Sequence, residues 1–347
     1  MLRRKFGSNS QNNIIIYQSS KREVPNSVTN DALGGWGANY VDNKSKWDST
    51  TGIGYLYFDG VVARIPDSVF EQNSTMTAIL YMPDTVTSIG SRSFYFSESN
   101  TTLRSKLQSV NFSHNIRFIG RRAFQSNRRL EKALLPNTLE YMYEYVFETC
   151  AQKLSEVSIG ENFKFFKYST DSTSSNKGEG CFGLCYNLTT VHWNAINCED
   201  FVLANYSPFS MSSIGLQSNG STVAPNITTV TFGDKVQNIP GSLFWKCEKI
   251  SNDIHIPASV TRIGDRAFQQ CLGIKNVYCH CKTPPKIEPS DGSNFTANDK
   301  KNCVFRYFDS TWKLLNLTIY VPEESVNLYK NDANWSLYSS MIKAYKY

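Results

Sequence analysis

The tightest group of metal-ligating side-chain types in this 347-residue chain is Cys271, Cys279, His280, Cys281 and Cys303. Zinc accepts thiolate and imidazole in a tetrahedral set, so any metal chemistry would sit here. Cys-x-Cys on a strand turns both thiols to one face without fixing four ligands, so no metal and no cofactor are expected. A Cys/His nucleophile pair would draw on His192 or His255, but both fall on outward strand positions. No carboxylate is spaced to orient either imidazole. His-Glu-x-x-His, Gly-x-Ser-x-Gly, the phosphate-binding Gly-x4-Gly-Lys-Ser/Thr and Cys-x-x-Cys are missing from the sequence. Gly34-Gly35-Trp36-Gly37 reads as an irregular loop, because it does not join a strand to a helix N-terminus. The chain is therefore read as a non-enzyme.

The basic stretch Arg117, Arg121, Arg122, Arg128, Arg129 and Lys132 suits phosphate or an acidic glycan, or else forms a solvated edge of two adjacent units. Nucleic acid would ask for aromatic residues interleaved with these cations. Only Phe118 and Phe124 are near, and Phe124 has an internal role described below. A net charge of +6, from 36 basic and 30 acidic residues, is a weak field for so long a chain. No nucleic-acid partner is expected.

A hydrophobic share of 40% supports a folded core. No apolar run approaches the ~18 residues of a membrane-spanning helix, so no membrane insertion is expected. Met1 to Lys5 is charged, but the residues after it are rich in Asn and Ser rather than apolar, which does not support classical secretion. An odd count of nine Cys without such a signal argues against a disulfide framework.

What must position any functional side chain is a repeat. Val62 to Phe70, Val86 to Phe94, Ile116 to Phe124, Leu139 to Phe147, Val236 to Phe244 and Val260 to Phe268 share the pattern apolar-x-x-Ile-Gly/Pro-x-x-small-Phe, with a unit of about 24 residues. Between the copies runs a second element, apolar-x-x-Val-x-apolar. It appears at Leu107 to Phe112, Leu154 to Ile159, Leu188 to Trp193, Ile227 to Phe232 and Ile274 to Cys279. Its β-branched residues alternate with period two, which predicts short strands. One strand per unit buries too little alone, so neighbouring units must stack into a solenoid. Phe70, Phe94, Phe124, Phe147, Phe182, Phe209, Phe244 and Phe268 then form an internal aromatic ladder. Three residues later come Asn73, Asn127, Cys150, Cys185, Cys247 or Cys271, a spine of small inward side chains. The Gly or Pro after Ile reads as turn chemistry.

At these residues the chain resembles the BspA-type leucine-rich repeats, whose unit runs Leu-x-x-Val-x-Ile-Pro-x-x-Val-x-x-Ile-Gly-x-x-Ala-Phe-x-x-Cys. The resemblance implies a leucine-rich-repeat solenoid of about eight repeats. Its strands are short and parallel, its returns irregular or briefly helical, and both ends are capped. An N-terminal tail and cap would occupy residues 1–60, the solenoid 61–285 with insertions near 164–235, and a C-terminal cap 286–347. The opening residues, with Ile15-Ile16-Tyr17 and Phe58-Asp59-Gly60, are similar to repeat proteins carried by phages and prophages of gut bacteria, including crAss-like phages. That similarity implies a virion component, a tail or capsid appendage contacting the host surface. The alternative is a bacterial cell-surface adhesin of the same repeat family. Implied partners are other virion proteins and a host surface protein or glycan, with a homo-oligomer allowed.

The strand register places one outward residue per unit between two inward apolar ones. Reading along the chain gives Tyr81, Asn111, Leu134, Ser158, His192, Thr231, His255 and Tyr278 as one uncharged column, the candidate binding surface. The inserts at 168–177 and 208–225 and Trp193 are rival contact surfaces.

Overall fold

The structure, a computed structural model, describes residues 11–26, 35–97, 104–166, 181–201, 207–209, 225–288, 304–307 and 313–346. Residues 1–10, Gly34, Cys303 and most of both inserts lie outside the described residues. The chain winds as a coil of rungs with three sides. One side carries the main strands, Met76–Tyr81, Ser109–Val110, Lys132–Leu134, Glu156–Ile159, Thr190–Trp193, Thr229–Phe232, Ile254–Ile256, Asn276–Cys279, Thr318–Pro322 and Ile342–Tyr345. Their pairing is parallel from Met76–Tyr81 onward. A second side carries two-residue and three-residue strands. Arg64–Ile65 to Phe165–Phe166 form one parallel sheet, and Asn238–Ile239, Arg262–Gly264 and Lys286–Glu288 form another.

The third side is made of turns around the Phe of each unit. Among the described residues, twelve non-glycine residues there have left-handed backbone, with φ between 53° and 63°. They sit two residues before or after a ladder Phe, as with Ser68 and Gln72 around Phe70, and Tyr145 and Thr149 around Phe147. Such a conformation costs about 1–2 kcal/mol per residue in an L-amino acid. The return is a ladder of bonds between rungs. The N–H groups of Arg122, Phe124 and Ser126 donate to the carbonyls of Glu144, Val146 and Glu148, at 2.8 to 3.0 Å. Ser242, Phe244 and Lys246 repeat this on Asp265, Ala267 and Gln269, at 2.9 Å. Every donor in these ladders points toward the C-terminal rung.

Inside, the eight expected Phe rings stack in order from Phe70 to Phe268, with centroids 5.1 to 5.9 Å apart. Phe305 adds a ninth at 5.7 Å from Phe268. Trp36 closes the front of the stack against Phe70, and Trp335 and Tyr338 close the back against Phe305. The spine Cys and Asn127 are buried, Asn73 is half-buried, and the spine also satisfies the turns. Cys150, Cys185 and Cys271 thiols donate to the carbonyls of Phe124, Phe147 and Phe244, at 3.1 to 3.3 Å. Asn127 Nδ2 donates to Phe94 at 2.8 Å.

Two expectations change. The glycine after Ile is there for close approach rather than for a turn angle: a Cβ on Gly120 would stand 2.5 Å from the Ser91 nitrogen of the preceding rung. The coil also continues beyond residue 285, because Lys286–Glu288 pairs with Arg262–Gly264 and Thr318–Pro322 with Asn276–Cys279. The helix Val326–Asn331 and Trp335 close that end, where Tyr329 Oη donates to the Cys281 carbonyl at 2.9 Å. At the front, the antiparallel strands Ile14–Ser19 and Ile53–Tyr57 cover the first rung. Glu23 anchors them by accepting from Asn73 and Thr75, both at 2.6 Å.

Candidate binding face

Each main strand turns an apolar residue, Val or Ile or, in Lys132–Leu134, Ala133, toward the ladder and the next side chain outward. Pairing places Leu134 beside Ser158, Ser158 beside His192, and His192 beside Thr231. It places His255 beside Tyr278, and Tyr278 beside Tyr320. The face is not one continuous sheet. Its strands group as Met76–Tyr81 with Ser109–Val110, then Lys132–Leu134 through Thr229–Phe232, then Ile254–Ile256 through Ile342–Tyr345. At the second junction the Asn252 amide stands in for backbone, accepting from Val230 N–H at 3.0 Å and donating to its carbonyl at 2.9 Å.

Tyr81 is a special case. Counting back from Met82-Pro83 puts it in the column, but pairing sets Ile79 opposite Val110. The strand holds one extra residue at a bulge, which shows as a register shift against Ile16 and Tyr17. Leu80 and Tyr81 are both half-exposed there. At the first junction a groove of about 640 Å³ opens, lined by Tyr81, Asn111, His114, Lys132 and Leu134. Leu134 is 51% exposed, an apolar side chain held in water by its strand.

Beside the column, the middle of the face carries a charged row that the column reading leaves out. Lys132 bonds Glu156, which holds the Glu156 carboxyl below its ordinary range. Glu156 Oε1 lies 3.6 Å from His192 Nε2, and His192 Nδ1 lies 2.7 Å from Thr231 Oγ1. A carboxylate therefore does face His192, from the neighbouring strand. Thr231 is exposed on an open sheet, where water competes for its hydroxyl, so the row reads as a polar contact strip.

The C-terminal third is aromatic. The rings of His255 and Tyr278 stack at 4.9 Å, and those of Tyr278 and Tyr320 at 4.8 Å. His280 Nε2 lies 3.1 Å from His255 Nδ1, and its own Nδ1 lies 2.8 Å from Tyr345 Oη. Burial, and then the neighbouring His255, hold the His280 imidazole below its ordinary value. Tyr320 was missed from the sequence, although Ile319-Tyr320-Val321-Pro322 repeats the pattern of Ile254-His255-Ile256-Pro257. Register continues the column from Tyr320 to Lys343.

The suspected zinc group is dispersed. Cys279 Sγ meets Tyr329 Oη at 3.1 Å, Cys281 faces the Pro257 carbonyl at 3.1 Å, Cys271 joins the spine and His280 turns to the face. Among the described residues no set of three or more His, Cys, Asp or Glu is placed to hold a metal ion. Burial pushes the Cys185 thiol up to about 12, far from a thiolate at neutral pH.

A model of the BspA type leucine rich repeat region, in six copies, matches residues 63–173, 103–224 and 178–290. The chain belongs to this family. For this BspA type repeat chain a search of curated proteins finds no match. Among solved structures, a leucine-rich repeat protein from Bacteroides ovatus is similar at 17% identity and a TM-score of 0.45, over 82% of this chain and 57% of that one. The repeat chain thus spans little more than half of that protein's length. A leucine rich cell surface protein from Faecalibacterium prausnitzii is similar at 15% identity and a TM-score of 0.21, over 69% of this chain and 85% of that one. The pneumococcal vaccine antigen PcpA is similar at 12% identity and a TM-score of 0.25, over 82% of this chain and 83% of that one.

Proposed function

We propose that this repeat chain is a non-enzymatic recognition protein that contacts a bacterial surface protein or glycan through its main strand face. One observation carries the reading: outward side chains of successive rungs, Leu134 to Thr231 and His255 to Tyr320, are held in fixed register by a rigid core. Their entropy cost on binding is already met by folding, which favours recognition over a long footprint. The face offers edges of stacked rings, hydroxyls and amides, groups that suit shape and hydrogen-bond recognition. The opening residues support a more specific setting, a phage virion appendage that meets the host cell. A surface adhesin of the same family is the rival setting.

The test of recognition is retention of labelled protein on bacterial cells. A triple variant His255→Ala, Tyr278→Ala, Tyr320→Ala is expected to reduce retention tenfold or more, as loss of clustered aromatic contacts does. Unchanged retention by a folded variant rejects the face. Mass spectrometry of purified phage particles and of cell envelopes separates the two settings, since the peptides will be in one fraction or the other.

A further inference from the structure

The basic stretch read in the sequence divides in the folded chain. Arg117 pairs with Glu140, Arg121 lies 3.9 Å from Glu144, Arg122 stacks 5.3 Å over Tyr145 and Lys132 pairs with Glu156. These four are spent on neighbouring rungs. Arg129 and Arg128, which keeps a contact of its own, line a separate groove of about 180 Å³ at the corner where the Phe turns lead into the strand face, and Arg104 of the preceding rung joins them there. Neither Arg104 nor Arg129 has an ion pair among the described residues.

The rest of the groove is hydrogen-bonding. Ser97, Ser105, Ser126 and Gln152 line it, and no described lining residue is acidic. Its floor is rigid: Ser105 Oγ bonds Asn127 Oδ1, and Asn127 Nδ2 is tied to the Phe94 carbonyl at 2.8 Å. Ser126 is 5% exposed, and its Oγ is buried with no hydrogen-bond partner. Leaving a buried hydroxyl without a partner is unfavourable, so it marks a place where a bound group can complete the bonding. An oxyanion is the group that satisfies a hydroxyl donor and guanidinium groups together.

We infer that the groove formed by Arg104, Ser126, Arg128 and Arg129 binds the sulfate or carboxylate of an acidic polysaccharide. Polysaccharide is favoured over an acidic protein because Ser97, Ser105 and Gln152 offer partners to sugar hydroxyls, while Phe96 is the only apolar residue among the described lining residues. The inference rests on the recognition role proposed above and names a ligand class for a second surface beside the strand face.

The full chain is titrated, by fluorescence anisotropy, with a labelled heparin-derived hexasaccharide, an oligogalacturonate hexamer and neutral maltohexaose. One or both acidic probes are expected to bind and the neutral one not. Inorganic sulfate is expected to compete only at far higher concentration. The double variant Arg104→Ser, Arg129→Ser is expected to weaken binding at least tenfold, as loss of two charge-assisted contacts does. Ser126→Ala should weaken it with no change in net charge. The variant Arg22→Ser, Lys44→Ser removes the same charge elsewhere and should leave binding intact. Failure of both acidic probes to bind, equal binding of maltohexaose, inorganic sulfate binding as tightly as the hexasaccharide, or equal weakening by the charge-matched control overturns the inference. Cell retention lost in the face variant with acidic-probe binding intact, or the reverse, tells which of the two readings has failed.

Discussion

His255 Nδ1 and His280 Nε2 face each other at 3.1 Å across adjacent rungs. One proton serves that contact, and a second on the facing nitrogen sets two N–H groups head-on, which breaks it. His280 is held below its ordinary value of 6.5, first by burial and then by His255. The unfolded chain therefore takes up the proton before the folded one does. Stability attached to this pair is intact above pH 6.5, declines as the pH falls through the lowered folded value, and is level below it. NMR titration should give a His280 midpoint under 6.5, and His255→Ala should move that midpoint upward. A midpoint unmoved by the substitution would show that burial acts alone.

Phe147 sits mid-ladder, fully buried, with rings 5.3 and 5.4 Å away on either side. Phe147→Ala is expected to cost about 3–5 kcal/mol. Because each rung contacts only its neighbours, denaturant unfolding of the variant should broaden or split as the two halves uncouple. A sharp single transition at the wild-type midpoint would contradict a continuous stack.

Gly120→Ala puts a methyl group 2.5 Å from backbone nitrogen, and only rung separation relieves it. The expected cost is about 1–3 kcal/mol. Gly60→Ala, whose new Cβ would lie 3.4 Å from Ala38 Cβ, is the control that should stay near wild type in thermal melting.

Glu140 joins three rungs by accepting from Lys164 and Arg117. Lys164 first, and then Arg117, lower its carboxyl below 4.5. A depressed acid contributes stability above its unfolded value and loses that contribution as the pH falls through the folded one. Urea midpoints of wild type and Glu140→Gln should therefore differ at pH 7 and converge in acid. A gap that persists below the folded value would point to packing instead.

The ladder could be read in the sequence because one bulky side chain recurs at the end of the same local pattern even where inserts stretch the spacing, and nothing polar substitutes for a ring inside. The left-handed residues beside it left no trace, since Ser68, Arg122, Tyr145 and Leu184 share the backbone angle but no chemistry. Phe305 was hidden by the insert that separates it from Phe268. Of the face, the inward and outward alternation was legible, which is why Ser158, His192 and Thr231 fall in line. Sheet breaks were not, because they depend on how a rung leans on its neighbour. The facing of Glu156 and His192 depends on strand pairing across an insert whose length the local pattern does not set.

The donors of the Phe turns all point one way, so a bare front rung is a row of acceptors and a bare back rung a row of donors. Asn26 N–H meets the Val69 carbonyl at 3.0 Å in front, and Tyr338 Oη accepts from Phe305 N–H at 3.4 Å behind. Stripped of these stoppers, one molecule's tail end would fit the next molecule's head, and copies would string into filaments. Because every rung ends in the same polarity, whole units can be duplicated or lost between the stoppers with both ends still matching. The same directionality that makes the coil extensible is what its two caps must restrain.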